Sequence, residues 1–196
     1  MRKGTVTRMA ILRTALDLAS REGLKHITIG SLAKARGMSK SGVYAHFKSK
    51  QKLQLEVVQY AQLMFSERVL RPTRGIEDTL ARLQKIAHHW YHWSDRLSGG
   101  CFFIAAVVDF DDQDDPVAQE LKMQQQSWYD HLTLCLRQGI KQGVLPEDLD
   151  FSAFLNEFNG LYLSAQWHNW LLDKPQSEAQ YQQAVLKLLQ RYQVTD

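Results

Sequence analysis

Apolar residues recur along this chain at three- and four-residue intervals, the period of helices that bury one face. Ile11, Leu12, Ala15, Leu16 and Ala19 form such a stripe and predict a first helix over residues 7–22, closed by Gly23. Thr28 is placed to cap a short second helix whose Ile29, Leu32 and Ala33 face inward, and Gly37 sits in the break after it. Ser39 opens a third short helix carrying Val43, Tyr44 and Phe47. Ser49 opens a longer fourth, from Lys50 to Leu70, which ends before Arg71-Pro72. Ile76, Leu80, Leu83, Ala87 and Trp90 mark a fifth. Ser98-Gly99-Gly100 interrupts the pattern, the short apolar segment from Cys101 to Val108 follows, and the acidic run from Asp109 to Asp115 reads as a loop. Asp115-Pro116 starts a helix that ends near Gly143. Another covers about residues 151–172, and the last begins at Ser177, where Ser177 and Gln180 fit a capping box. No stretch keeps a period of two. The pattern is all-α, with about nine helices.

Composition agrees. A chain of 196 residues buries roughly 70% of its unfolded surface, so no disulfide or structural metal is needed. With 44% apolar and 23% charged residues it is neither disordered nor collagen-like. The longest apolar run, eight residues from Cys101, falls well short of the roughly 20 that a spanning helix needs. Arg2 and Lys3 lead into no apolar stretch, so no secretory signal is expected, and two cysteines make no disulfide framework. The expected location is the cytoplasm. Charge changes the picture more. Residues 1–50 hold eleven Lys/Arg against Asp17 and Glu22, a net of +9, while residues 51–196 hold thirteen against nineteen Asp/Glu, a net of −6. A basic head suits a polyanion, and the remainder does something else.

Residues 28–50 carry the chemistry. Two short helices joined by a glycine-containing turn at Arg36-Gly37-Met38 read as a helix-turn-helix. Ala33, Val43 and Phe47 are sized to pack the pair, and Ser39, Lys40, Ser41, Tyr44 and His46 are left to face out. The second helix of such a pair enters the major groove with its first residues at the base edges. Gly42 lowers helix propensity and has two available reasons, close approach to DNA or close packing on the preceding helix.

The segment Ala15-Leu16-Asp17-Leu18-Ala19, then Gly23, Thr28-Ile29, Leu32-Ala33 and Gly37-Met38-Ser39, resembles the DNA-binding head of the tetracycline-repressor (TetR) family of bacterial regulators. Gly42-Val43-Tyr44-Ala45-His46-Phe47-Lys48-Ser49-Lys50, followed by Leu53, is its strongest part. The resemblance implies that residues 1–50 are a DNA-binding domain and 51–196 an effector-binding and dimerisation domain. It places Thr28 at a phosphate, in addition to its capping role. It places Ser39, Lys40 and Ser41 at the base edges, with Lys40 on guanine or on a phosphate. Tyr44 would lie against a phosphate or a thymine methyl, His46 near the DNA backbone, and Lys48 and Lys50 would supply charge. Arg2, Lys3 and Arg8 are open to being a basic arm or a plain tail.

All five tryptophans fall outside the head. Trp90, Trp93, Cys101, Phe102, Trp128, Tyr162 and Trp167 are the candidates for a pocket that takes a planar or apolar effector, with core packing as the alternative. The helix from Phe151 carries apolar residues on more than one face, which suggests burial inside the body and against a second copy. Phe158, Tyr162, Ala165, Val185 and Leu189 are the candidates for that dimer interface. A two-fold dimer would present two recognition helices about 34–36 Å apart to palindromic double-stranded DNA.

Two other constellations compete. His88 and His92 share a helical face at a spacing that suits a metal, but no third ligand is apparent, so no metal site and no cofactor are expected. Cys101 follows Gly99-Gly100 at a helix start, where a thiol becomes more acidic; the family resemblance implies electrophile or oxidant sensing there, with a buried inert thiol as the alternative, and Cys135 sits in an apolar stripe and reads as core. The resulting expectation is a homodimeric, ligand-responsive repressor and not an enzyme. A DNA-binding dimer without an effector, and a redox or electrophile sensor through Cys101, are the alternatives.

Overall fold

The computed structural model describes residues 3–110, 115–171 and 178–194. Its helices are α1 (Lys3–Glu22), α2 (Ile29–Arg36), α3 (Lys40–Phe47), α4 (Lys50–Phe65), α5 (Thr79–His92), α6 (Phe102–Phe110), α7 (Pro116–Lys141), α8 (Phe151–Leu171) and α9 (Glu178–Tyr192). No strand occurs among the described residues. The chain is all-α, in the expected order.

Side-chain caps set most boundaries where the sequence predicts them. Thr28 Oγ1 accepts from Ser31 N at 3.0 Å while Ser31 Oγ accepts from Thr28 N at 3.0 Å, a reciprocal capping box. Ser49 caps α4 through Lys52 N at 3.0 Å, Asp78 caps α5 through Ala81 N at 2.7 Å, and Asp150 caps α8 through Ala153 N at 3.0 Å. Asp115 accepts from Val117 N and Ala118 N and starts α7.

Three boundaries differ from expectation. α1 begins at Lys3 instead of Thr7, so Lys3 and Arg8 belong to the helix and not to an arm; Arg2 lies outside the described residues. α4 is α-helical only to Phe65, and a π turn over Ser66–Leu70 then gives way to a 3-10 turn over Arg71–Thr73. Pro72 sits inside that 3-10 turn, where a missing N–H is tolerated. α6 extends through Asp109 and Phe110, so the acidic run starts within a helix; residues 111–114 and the Ser177 cap lie outside the described residues.

The chain forms two compact units, Met1–Phe65 with Ser94–Gln124, and Ser66–Trp93 with Gln125–Asp196. In the first, α1 packs on α4 and on α6, and Ile11, Ala15, Leu16, Leu53, Val57 and Ala61 are buried. Asp17 accepts from the amide and the hydroxyl of Ser98 at 2.9 and 2.6 Å. Gly99 N donates to Ser20 Oγ at 3.1 Å. A Cβ on Gly99 would fall 2.1 Å from the Ser20 carbonyl oxygen, so only glycine lets this segment lie on the end of α1. In the second unit α5 packs on α8 and α9, and Leu83, Ile86, Phe154, Phe158, Val185 and Leu188 are buried.

Candidate functional site

Gly37 takes the left-handed conformation (φ 61°, ψ 31°) that ends α2, with Gly37 N on Lys34 O at 3.3 Å and Met38 N on Ala33 O at 2.9 Å. Ser39 Oγ accepts from Gly42 N at 3.1 Å and opens α3 directly afterwards. α2 packs on α3, and Leu32, Ala33, Val43 and Phe47 are buried.

The other side of α3 is open. Ser39, Lys40, Ser41 and Tyr44 are exposed, Tyr44 at 53%, and Ser39 and Ser41 share a hydroxyl contact of 3.1 Å. His46 is half-buried, while Lys48 and Lys50 are exposed. Lys48 holds φ at 65°, unusual for a residue with a side chain, and its N–H closes α3 on Tyr44 O at 2.9 Å. Of the two expected reasons for Gly42, close packing on the preceding helix is not found within the protein. A Cβ there would approach Ser39 Oγ at 3.1 Å, so the glycine makes room for the cap and not for a neighbouring helix.

Lys40 folds back over α2. Its ε-carbon lies 3.6 Å from where a Cβ on Gly30 would stand, and Thr28 Oγ1 is 3.7 Å from the same point. Thr28, Gly30 and Lys40 therefore converge at the N-terminus of α2, whose free amides favour an anion. Lys34 and Arg36 are exposed on the last turn of α2, two cations the motif reading passed over.

Arg8 is engaged within the fold. Its Nε donates to Glu56 Oε2 at 3.0 Å, a second nitrogen binds the same carboxylate, and its guanidinium lies 5.4 Å from the Phe47 ring centre. This removes it from any flexible arm and ties α1 to α4 and to the recognition pair. A cleft of about 370 Å³ beside it is lined by Leu12, Glu56, Tyr60 and Leu63, none of them expected at an effector site.

The aromatic candidates divide. Trp90 stacks on Tyr162 at 4.0 Å and meets Trp128 edge-on at 4.8 Å. Trp93 Nε1 donates to Tyr162 OH at 3.1 Å, and Trp128 Nε1 donates to Asn159 Oδ1 at 3.3 Å. These four form one buried, hydrogen-bonded cluster in the second unit. Cys101 and Phe102 are buried in the first unit, and Trp167 is 57% exposed. Cys135 is buried, which pushes its thiol pKa up, in keeping with a core position.

The dimer candidates need correction. Phe158, Tyr162, Ala165, Val185 and Leu189 are all buried within the single chain and are not available to a second copy. The open apolar face of α8 lies beside them: Leu163, Trp167 and Trp170 are exposed, and Gly160 has open space where a Cβ would stand. α8 does carry two apolar stripes, but the one named from the sequence is the one its own chain covers. No helix among the described residues is long and apolar enough to cross a membrane.

Two family models match. "Bacterial regulatory proteins, tetR family" covers residues 11–57, and "Tetracyclin repressor-like, C-terminal domain" covers residues 79–185. A nucleoid occlusion factor SlmA of Marinobacter nauticus is 24% identical over 142 residues, 72% of this chain and 70% of that protein. The HTH-type transcriptional regulator AcrR of Shigella flexneri is 29% identical over 175 residues, 87% of this chain and 80% of that one. A TetR transcriptional regulator from Chloroflexus aurantiacus superposes with a TM-score of 0.85 at 21% identity, covering 100% of both chains. AibR, solved in complex with isovaleryl coenzyme A and operator DNA, superposes with a TM-score of 0.69 at 23% identity over 94% of this chain and 97% of its own. The fold is shared with both. With matched models over both the helix-turn-helix and most of the remaining helices, the chain belongs to the TetR family of DNA-binding transcriptional regulators.

Proposed function

We propose that the chain is a homodimeric repressor that a small molecule releases from a palindromic operator. Residues 1–50 bind the DNA, and residues 51–196 hold the effector and the partner copy. One observation carries the DNA reading: α3 is locked from behind by Val43 and Phe47 and leaves Ser39, Lys40, Ser41 and Tyr44 exposed. Ser39, Ser41 and Gly42 bring the helix start to the base edges. The position of Lys40 over the start of α2 favours a phosphate, shared with Thr28, over guanine. Tyr44 takes a thymine methyl or a phosphate, and His46, Lys48 and Lys50 follow the backbone.

The effector reading rests on the Trp90, Trp93, Trp128 and Tyr162 cluster, where Asn159 and the Tyr162 hydroxyl supply polar anchors inside an apolar wall. AibR, caught with both a ligand and DNA, supports the pairing of the two activities in one chain of this fold. Effector and operator then weaken each other reciprocally, typically by about 1–3 kcal/mol. The exposed Leu163, Trp167 and Trp170 face of α8 is the surface for the second copy.

The test is selection of sites from random duplex DNA at two salt concentrations, with the wild type and Tyr44→Ala. Specific binding to a palindrome is expected. Tyr44→Ala should keep its thermal midpoint, because the side chain is exposed, and lose about 1–3 kcal/mol of operator affinity. Sequence-blind binding that disappears with salt would refute the operator reading. An unchanged Tyr44→Ala affinity would refute the contact assignment.

A further inference from the structure

His88 and His92 stand one turn apart on α5, and Glu178 opens α9. His88 Nδ1 lies 2.8 Å from Glu178 Oε1, and His92 Nε2 lies 3.1 Å from Glu178 Oε2. One nitrogen or oxygen from each residue falls within 4.8 Å of the other two. The imidazole rings are tilted 67° to each other with centroids 5.1 Å apart, so they are not stacked on one another.

We propose that His88, His92 and Glu178 bind a divalent transition-metal ion of the zinc class, with water as the fourth ligand. Two imidazoles and one carboxylate around an open fourth position is a set that zinc takes. Imidazole donors disfavour magnesium and calcium, which take oxygen. In the metal-free arrangement each imidazole–carboxylate contact is bridged by a proton. A cation between the three groups replaces both contacts at once, each neutral imidazole then keeping its one proton on the ring nitrogen that faces away from the ion. All three side chains are partly exposed, so an ion can enter from solution without opening the core. The bound ion fastens the start of α9 to the end of α5 and stabilises the unit that contains them. This inference does not depend on the DNA or effector reading.

Full-length protein stripped with a chelator is titrated with Zn²⁺ alone by calorimetry, and with Co²⁺ as a visible-absorbance probe. One ion per chain is expected, with tetrahedral Co²⁺ bands and a thermal midpoint raised by Zn²⁺. His92→Gln and Glu178→Gln should each weaken uptake on the order of ten- to a hundredfold, with unchanged circular dichroism. Absence of uptake at micromolar Zn²⁺, or equal uptake by both variants, overturns the site.

Discussion

Tyr181 buries a phenol whose hydroxyl finds no hydrogen-bond partner among the described residues. Its ring stacks on Tyr91 at 5.2 Å, and burial pushes its pKa above that of an ordinary tyrosine. An unsatisfied buried donor is costly, and removing it without changing shape is close to neutral or stabilising. Tyr181→Phe should therefore leave unfolding free energy unchanged or raise it by up to about 1 kcal/mol. A loss of that size in chemical denaturation would show that the hydroxyl has an ordered partner. At this scale the sequence was legible where chemistry is local. Thr28 and Ser39 cap the helices they were expected to cap, because the bonded amide lies within three residues. Arg8 was not legible, because its partner Glu56 is one helix packing away. Glu178 was not legible beside His88 and His92 for the same reason.

Among elements, the Ser98–Gly100 breaker proves to be a packing device. Its backbone lies on the end of α1, and Asp109 of α6 accepts from Lys25 N at 3.2 Å in the turn that follows α1. Gly99→Ala should lower stability by about 1–3 kcal/mol, the range for forcing atoms into a filled site, measured as the shift of a urea unfolding midpoint. A silent substitution would mean that the segment yields, and that α6 is not fastened to α1 there. Helix existence was legible throughout because 3.6-residue periodicity is written along each segment. The choice of covered face on α8 was not. Two apolar stripes look alike in sequence, and only the arrival of α5 and α9 decides that Phe158 and Ala165 go inside while Leu163 and Trp167 stay out.

For the whole molecule, two histidines set the response to acid. Burial, more than the charges of Arg82 and Arg74, lowers the pKa of His131; burial also leads for His89, ahead of His88 and Lys85. In the unfolded chain both take protons near the ordinary value of about 6.5. Folded, they refuse them until the pH is lower. The unfolded state therefore binds more protons just below that value, and stability falls as pH drops through it. Denaturation at pH 7.5, 6.5 and 5.5 should show unfolding free energy constant at first and then decreasing, with His131→Gln flattening the decrease. A stability that rises on acidification would contradict the sign.

The first compact unit has a practical meaning for hybrid regulators. It is built from two separate stretches of chain, Met1–Phe65 and Ser94–Gln124. A chimera joined by a single cut after residue 50 or 65 would deprive Asp17, Ser20 and Gly23 of Ser98, Gly99 and Asp109, the groups they rest against. Transplanting the helix-turn-helix head of this protein onto another body of the family thus requires two grafts moved together, with three junctions in place of one.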